Sequence, residues 1–189
     1  MPVDHARLPG VGQYGVTPGG GIQMAAVRWW TGRAQVKPPF WRPAWAGHAA
    51  MVRAINPASD RPVLLIEAAP GGVRRRELSW ADLERWRFSD FPLTAGQLAT
   101  VPQLDDLLGT DYDWPSVAEV GIRVRIARFR GRAEDHPDRR LFCSELSAWW
   151  FRDKYGLDLF PGIAPGTVSP EMLDHRRAGP TPLAVGPRA

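Results

Sequence analysis

The chain has 189 residues, which is enough for one domain with a sizeable hydrophobic core, and its single cysteine excludes a framework of internal disulfides. The net charge is +4, and the arginines are scattered among tryptophans and acidic residues instead of forming one basic block. This charge distribution argues against specific nucleic-acid binding.

The first residues, 1–7, lack the basic start and apolar run of a signal peptide, and no apolar run is long enough to span a bilayer. We therefore expect a cytoplasmic protein without a transmembrane segment. No cluster of side chains has the spacing of metal ligands, so we predict no metal and no other cofactor.

In chain order, alternating apolar residues predict a short strand over 11–17, and apolar residues at helical spacing predict a helix over 22–30. Three further strands are predicted over His48–Ile55, 62–68 and 72–78. Because short, turn-rich segments join these three strands, we expect an antiparallel meander.

Helices are predicted after the meander. Ser79 has the position of a helix cap, with Asp82 as the acidic partner three positions on. Thr94 has the position of a second cap, for a helix over 95–108 that Pro102 kinks or divides.

Residues 116–130 fit a helix followed by a strand, and 167–173 fit a short capped helix. The whole pattern predicts an α+β fold, with an antiparallel sheet packed against helices. We expect a single domain over 1–177 and a flexible Gly/Pro-rich tail over 178–189.

Cys143 directly precedes a helical pattern, in which Leu146, Trp149 and Trp150 are three and four positions apart. At a helix N-terminus, unpaired N–H groups and the helix dipole favour negative charge. A cysteine in that place is a candidate nucleophile, because the thiolate is the reactive form. The alternative is a buried cysteine with a structural role only.

A nucleophilic cysteine needs a base, and the base needs a group that orients it. Among the four histidines only His48 opens an apolar segment, so it is the candidate base. The others lie in polar, charged or Pro/Gly-flanked segments: His5, His136 and His175.

Glu67 is the candidate orienting group. It follows four apolar residues, where a charge is costly without a partner. A hairpin centred on Pro57–Ala58 places Val52 opposite Val63 and His48 opposite Glu67, and a shift of two residues keeps both on one face. The alternative is that Glu67 emerges into solvent at the strand end.

Four segments together suggest a family. They are Gly47-His48-Ala49-Ala50-Met51-Val52, Ile66-Glu67-Ala68-Ala69-Pro70-Gly71-Gly72-Val73, Leu108-Gly109-Thr110-Asp111-Tyr112 and Phe142-Cys143-Ser144-Glu145-Leu146. In kind and order these segments resemble the circularly permuted papain-like hydrolases of the YiiX/YaeF type, within the NlpC-type superfamily. The resemblance covers roughly residues 11–175 and implies a permuted papain-like fold, in which the His strand precedes the Cys helix.

The resemblance also implies roles for individual residues. Cys143 is the expected nucleophile, His48 the general base, and Glu67 the residue that orients the imidazole. The Cys143 N–H is one expected oxyanion donor, and Tyr112 is the second.

The implied activity is that of a cysteine hydrolase that cleaves amide bonds, for example in cell-wall peptides, through a thioester intermediate. One alternative is an acyltransferase or thioesterase that acts on lipid-derived acyl groups. Another is a non-catalytic binding or virion-assembly module with the same fold. The expected partner is thus a peptide or acyl substrate, and the arginine and tryptophan content would suit a phage product.

Overall fold

The computed structural model describes residues 8–20, 45–113 and 140–177, together with positions 25, 28, 183 and 184. Of the helix predicted over 22–30, only positions 25 and 28 are described, and both are helical. The prediction for 116–130 lies outside the described residues.

A five-stranded sheet forms the centre of the described structure, and every pair of neighbouring strands in it is antiparallel. The strands are β1 Tyr14–Thr17, β2 His48–Ile55, β3 Val63–Ala69, β4 Gly72–Leu78 and β5 Arg87–Phe88. Their order across the sheet is β4-β3-β2-β1-β5. The predicted antiparallel sheet and its first four strands are confirmed.

In the continuous described ranges, four α-helices accompany the sheet: α1 Trp80–Leu83, α2 Ala95–Thr100, α3 Cys143–Trp149 and α4 Pro170–Arg176. The predicted caps of the first two are confirmed, because Ser79 and Thr94 each accept a hydrogen bond from the backbone three residues on. Pro102 divides the predicted 95–108 helix, since α2 gives way to a 3₁₀ helix over Val101–Leu107. α3 continues as a π-helical turn over Trp150–Lys154.

Both faces of the sheet carry buried apolar side chains. Consecutive residues of β2 and β3 are apolar, and successive side chains of a strand point to opposite sides. One face packs with α3 in a core that includes Ala49, Met51, Ile66, Ala68 and Leu146. The other face packs against the segment after β4, in a core that includes Ala50, Val52, Leu65, Leu83 and Trp86. The predicted packing of the sheet against the helix that begins at Cys143 is confirmed.

The β2–β3 register differs from the predicted one. Val52 lies opposite Leu65, not Val63, and the pairing shifts again between Val52 and Ala54 at a β-bulge. The prediction of a hairpin centred on Pro57–Ala58 was wrong because the loop is wider. The Asn56 N–H donates to the Pro62 carbonyl at 2.8 Å and closes this loop. Beside His48 the displacement is two residues, which leaves His48 and Glu67 on one face.

In the part of the chain that the structure describes, two short strand pairs lie outside the main sheet. β6 Asp111–Tyr112 runs parallel to β7 Arg140–Leu141, and β8 Leu157–Asp158 pairs with β9 Leu183–Ala184. β9 lies within the segment 178–189 that is predicted to be a flexible tail, and the other residues of that segment lie outside the described residues. A neighbouring strand supplies hydrogen-bond partners there that the local composition does not indicate.

None of the helices in the described part of the chain combines the length and the apolar content needed to cross a bilayer.

β4 holds the segment that leads into β6. The Val73 N–H donates to the Thr110 carbonyl at 2.8 Å, and the Gly109 N–H donates to the Val73 carbonyl at 2.9 Å. Gly72 makes this approach possible: its φ is +106°, and a Cβ there would lie 2.7 Å from the Thr110 oxygen.

Gly72→Ala should therefore destabilise the protein more than Gly71→Ala. Both glycines have positive φ, but a Cβ at Gly71 would meet nothing within 4 Å. We expect backbone strain of about 1–2 kcal/mol from either change, and at least about 1 kcal/mol more from Gly72→Ala because of the clash. Urea unfolding of both variants measures the difference, and equal losses would contradict a tight junction with Thr110.

Candidate active site

Cys143 is the first residue of α3. Phe142 before it is extended, and its N–H donates to the Glu145 carboxylate at 3.3 Å, which is one half of a capping box. The Ser144 hydroxyl donates to the Val168 carbonyl at 2.6 Å and ties this turn to the chain that precedes α4. The thiol is thus buried at a fixed helix N-terminus, as the sequence predicts.

His48 is the first residue of β2, and its buried imidazole lies next to the side chain of Cys143, close enough for the two groups to interact. Its Nε2 is 2.9 Å from Oε2 of Glu67, which leaves Nδ1 as the ring nitrogen available to the thiol. His48 begins β2 and Cys143 begins α3, so the imidazole and the thiol meet at the edge of the interface between helix and sheet.

The Glu67 carboxylate is buried, with 1% of its side chain exposed, and the ion pairs to it from the described residues come from the two neighbouring strands. Besides His48 from β2, two arginines from β4 bind it. Arg74 donates from Nε at 3.0 Å and lies with Nη2 at 2.9 Å, both to Oε1. Arg76 donates from Nη1 to Oε2 at 3.4 Å. Glu67 is therefore a compensated internal charge and not an acid that emerges into solvent.

These contacts raise the pKa of His48 and lower the pKa of Glu67. Burial by itself would lower the pKa of His48, but the hydrogen bonds and charges of Cys143 and Glu67 raise this pKa to about 9. Burial would raise the pKa of Glu67, but His48, Arg74 and Arg76 lower it to about 2. At neutral pH, an imidazolium thus faces a carboxylate on one side and the sulfur on the other.

Tyr112 reaches the site through the β6–β7 pair. In that parallel ladder Tyr112 lies opposite Leu141, two residues before Cys143. Burial, with the nearby Cys143 and Asp113, raises the pKa of the Tyr112 phenol. The phenol therefore keeps its proton at neutral pH and remains a hydrogen-bond donor. The structure thus brings all four predicted site residues together.

Several neighbours of the site were missed from the sequence. Trp86 lies edge-on to the His48 ring, with centroids 6.1 Å apart, and the guanidinium of Arg76 is 5.8 Å from the Trp86 ring. The signal for the arginines was present: the β3–β4 hairpin has the short turn that its glycines predict, which places Arg74 opposite Glu67 and Arg76 opposite Leu65.

Glu145 is a second carboxylate close to the nucleophile, in the first turn of α3. Burial raises its pKa, the hydrogen bond from the Phe142 N–H opposes that change, and the nearby Asp113 adds to it, so the pKa is about 7. No sequence signal indicated this shift, because it depends mainly on the burial of Glu145 in the folded structure.

Within the described ranges, no three or more His, Cys, Asp or Glu side chains are grouped so that they could hold a metal ion. Comparisons with known proteins do not extend the description of the site. No protein-family model matches the chain, and no curated protein matches it either.

The charge on Glu67 gives a pH signature in stability. Its folded pKa of about 2 lies below the ordinary value of 4.5, so its contribution is fully present above pH 4.5 and is lost as the pH falls towards 2. From pH 7 to pH 4.5 the titration of His48 also contributes to the difference in free energy of unfolding between wild type and Glu67→Gln, because Glu67 raises the pKa of His48. Below pH 4.5 the excess stability of wild type should shrink as Glu67 takes up a proton, so it should be smaller at pH 3 than at pH 4.5.

Urea unfolding at these pH values, followed by tryptophan fluorescence, tests this expectation. Glu77→Gln is the control, because Glu77 is 57% exposed and pairs with Arg61 at 3.7 Å, a contact of little energetic weight. A difference between wild type and Glu67→Gln that grows as the pH falls from 4.5 to 3 would contradict the assigned charge.

Proposed function

We propose that this protein is a cysteine hydrolase that cleaves amide bonds through a thioester intermediate. One observation carries the proposal: the imidazole that interacts with the thiol at the start of α3 is held with its Nε2 2.9 Å from a buried carboxylate. Cys143 as nucleophile, His48 as base and Glu67 as orienting acid follow one another in space, which is the arrangement that nucleophilic catalysis requires.

We also propose that the fold is a circularly permuted papain-like arrangement of the YiiX/YaeF type. The order of the elements supports it, because β2 with the histidine precedes α3 with the cysteine and β3 with the acid lies beside β2. A helix that begins at the nucleophile and packs on an antiparallel sheet is consistent with the same proposal.

The first half of the reaction forms the thioester. The Cys143 thiolate attacks the carbonyl carbon of the substrate, a C–S bond forms, and the carbonyl oxygen becomes an oxyanion. The Cys143 N–H has no acceptor within its helix, and with the Tyr112 phenol it would stabilise this oxyanion. As the C–N bond breaks, the His48 imidazolium gives its proton to the leaving amine.

The second half hydrolyses the thioester. Neutral His48 accepts a proton from water, the resulting hydroxide equivalent attacks the thioester carbon, and the C–S bond breaks. The carboxylic acid leaves, and the proton on His48 restores the imidazolium–thiolate pair. Throughout, Glu67 holds the imidazole orientation and stabilises its positive charge. Peptides, among them those of cell walls, are the substrate class that we propose.

The decisive test is labelling with thiol-reactive amide and acyl probes, read by mass spectrometry. Cys143 is the only cysteine, so Cys143→Ala is a complete control. We expect labelling of wild type by amide probes at pH 6, where an ordinary thiol reacts slowly, and a loss of about tenfold or more in His48→Ala.

Other labelling results would change the proposal. If only long-chain acyl probes react, the protein is an acyltransferase or thioesterase and not an amidase. If Cys143 reacts as an ordinary thiol and His48→Ala leaves its pH profile unchanged, the catalytic proposal fails and a binding module takes its place.

Tyr112 provides a separate prediction. If its phenol donates to the oxyanion, Tyr112→Phe should lower kcat by about tenfold to a thousandfold with KM nearly unchanged, because that hydrogen bond is strongest in the transition state. Tyr155→Phe is the matched control, since it also removes a buried phenol, which donates to the Gly12 carbonyl at 3.0 Å. A rise in KM alone would instead make Tyr112 part of the substrate-binding wall.

A further inference from the structure

We infer that Arg74 and Arg76 are positioning residues with different tasks: Arg74 fixes the Glu67 carboxylate so that one oxygen faces His48, and Arg76 competes with His48 for that oxygen. The inference rests on the proposed function for its consequence in turnover. Its structural part concerns only how three strands share one buried carboxylate.

Arg74 occupies the oxygen that His48 does not use. Its Nε lies 3.0 Å and its Nη2 2.9 Å from Oε1 of Glu67, so one edge of the planar guanidinium closes on that oxygen. This double contact resists rotation of the carboxylate about its last bond. Oε2 is consequently held towards β2, where it meets Nε2 of His48.

Arg76 approaches the oxygen that His48 uses. Its Nη1 is 3.4 Å from Oε2, against 2.9 Å for Nε2 of His48, so the arginine makes the longer contact of the two. A positive charge in this place draws electron density from the acceptor and opposes the charge of the imidazolium. Arg76 therefore weakens the support that Glu67 gives to the protonated base.

Among the described residues, the charged groups that act on His48 or on its partner Glu67 come from three elements. Cys143 belongs to α3 and Glu67 to β3, while Arg74 and Arg76 act from β4 through Glu67. The arginines reach a carboxylate that is 1% exposed while their own side chains are 58% and 41% exposed. They can therefore be replaced without opening a cavity in the core.

The strand also supplies a matched control. Arg75 lies between the two arginines, and its side chain is 55% exposed, close to the value for Arg74. Strand alternation directs it to the other face of the sheet, where it pairs with Asp105 at 3.2 Å. Arg75→Gln removes one positive charge from the same strand and leaves the Glu67 contacts in place.

The experiment compares these variants in full-length protein by nitrogen NMR of the His48 ring, assigned with His48→Gln, and by steady-state kinetics. In Arg74→Gln the His48 Nε2–H should exchange faster with water, and kcat should fall by about tenfold or more with KM nearly unchanged. Arg74→Lys should not restore slow exchange, because an ammonium group cannot make the planar double contact. Arg75→Gln should change neither quantity.

Arg76→Gln should have a different signature. The titration midpoint of His48 should rise by about half a pH unit, since a competing positive charge is removed. Arg75→Gln should shift that midpoint by less. A fall or no change in Arg76→Gln, or equal effects of Arg74→Gln and Arg75→Gln on exchange, would overturn the inference.

The NMR readouts separate this inference from the proposed function. If the ring exchange and titration change as expected but no probe is turned over, the arrangement of the arginines holds and the hydrolase proposal fails. If probes are turned over and Arg74→Gln alters neither exchange nor kcat, the hydrolase proposal holds and the inference on the arginines fails.

Discussion

The structure of this site depends on one buried negative charge. A carboxylate in an apolar interior costs several kcal/mol unless charges and hydrogen bonds compensate it. Glu67, in β3, receives that compensation from both neighbouring strands, with His48 on β2 and the two arginines on β4. The requirement ties these three strands together, since loss of either neighbour would leave the charge without its partners.

The same charge connects the sheet to the helix. Glu67 stabilises a protonated His48, and the protonated ring in turn faces the sulfur of Cys143 at the helix N-terminus. Strand pairing and helix packing thus meet in one row of interacting groups: arginine, carboxylate, imidazolium and sulfur. This contact between a supported imidazolium and the sulfur is the physical basis of the proposed acyl-transfer chemistry.

Much of the site followed from local patterns. The strand that His48 opens, the helix that Cys143 begins and the caps at Ser79 and Thr94 were predicted, because each depends on residues within one turn or one strand. The β2–β3 register was wrong by two positions beside His48, since it depends on a wide loop and a bulge that carry no clear sequence signal. The prediction that His48 and Glu67 lie on one face held only because the register error was two residues, and a shift by an even number keeps side chains on the same face.

The sequence by itself determined which residues could share a face, because side chains alternate along a strand and repeat every three or four positions along a helix. It also determined that Cys143 begins a helix. Only the tertiary structure decided which nitrogen of His48 meets Glu67, that Tyr112 reaches Cys143 through a parallel pair with Leu141, and that arginines share the carboxylate. These features depend on contacts between distant segments, whose geometry is fixed by loops and packing and not by local periodicity.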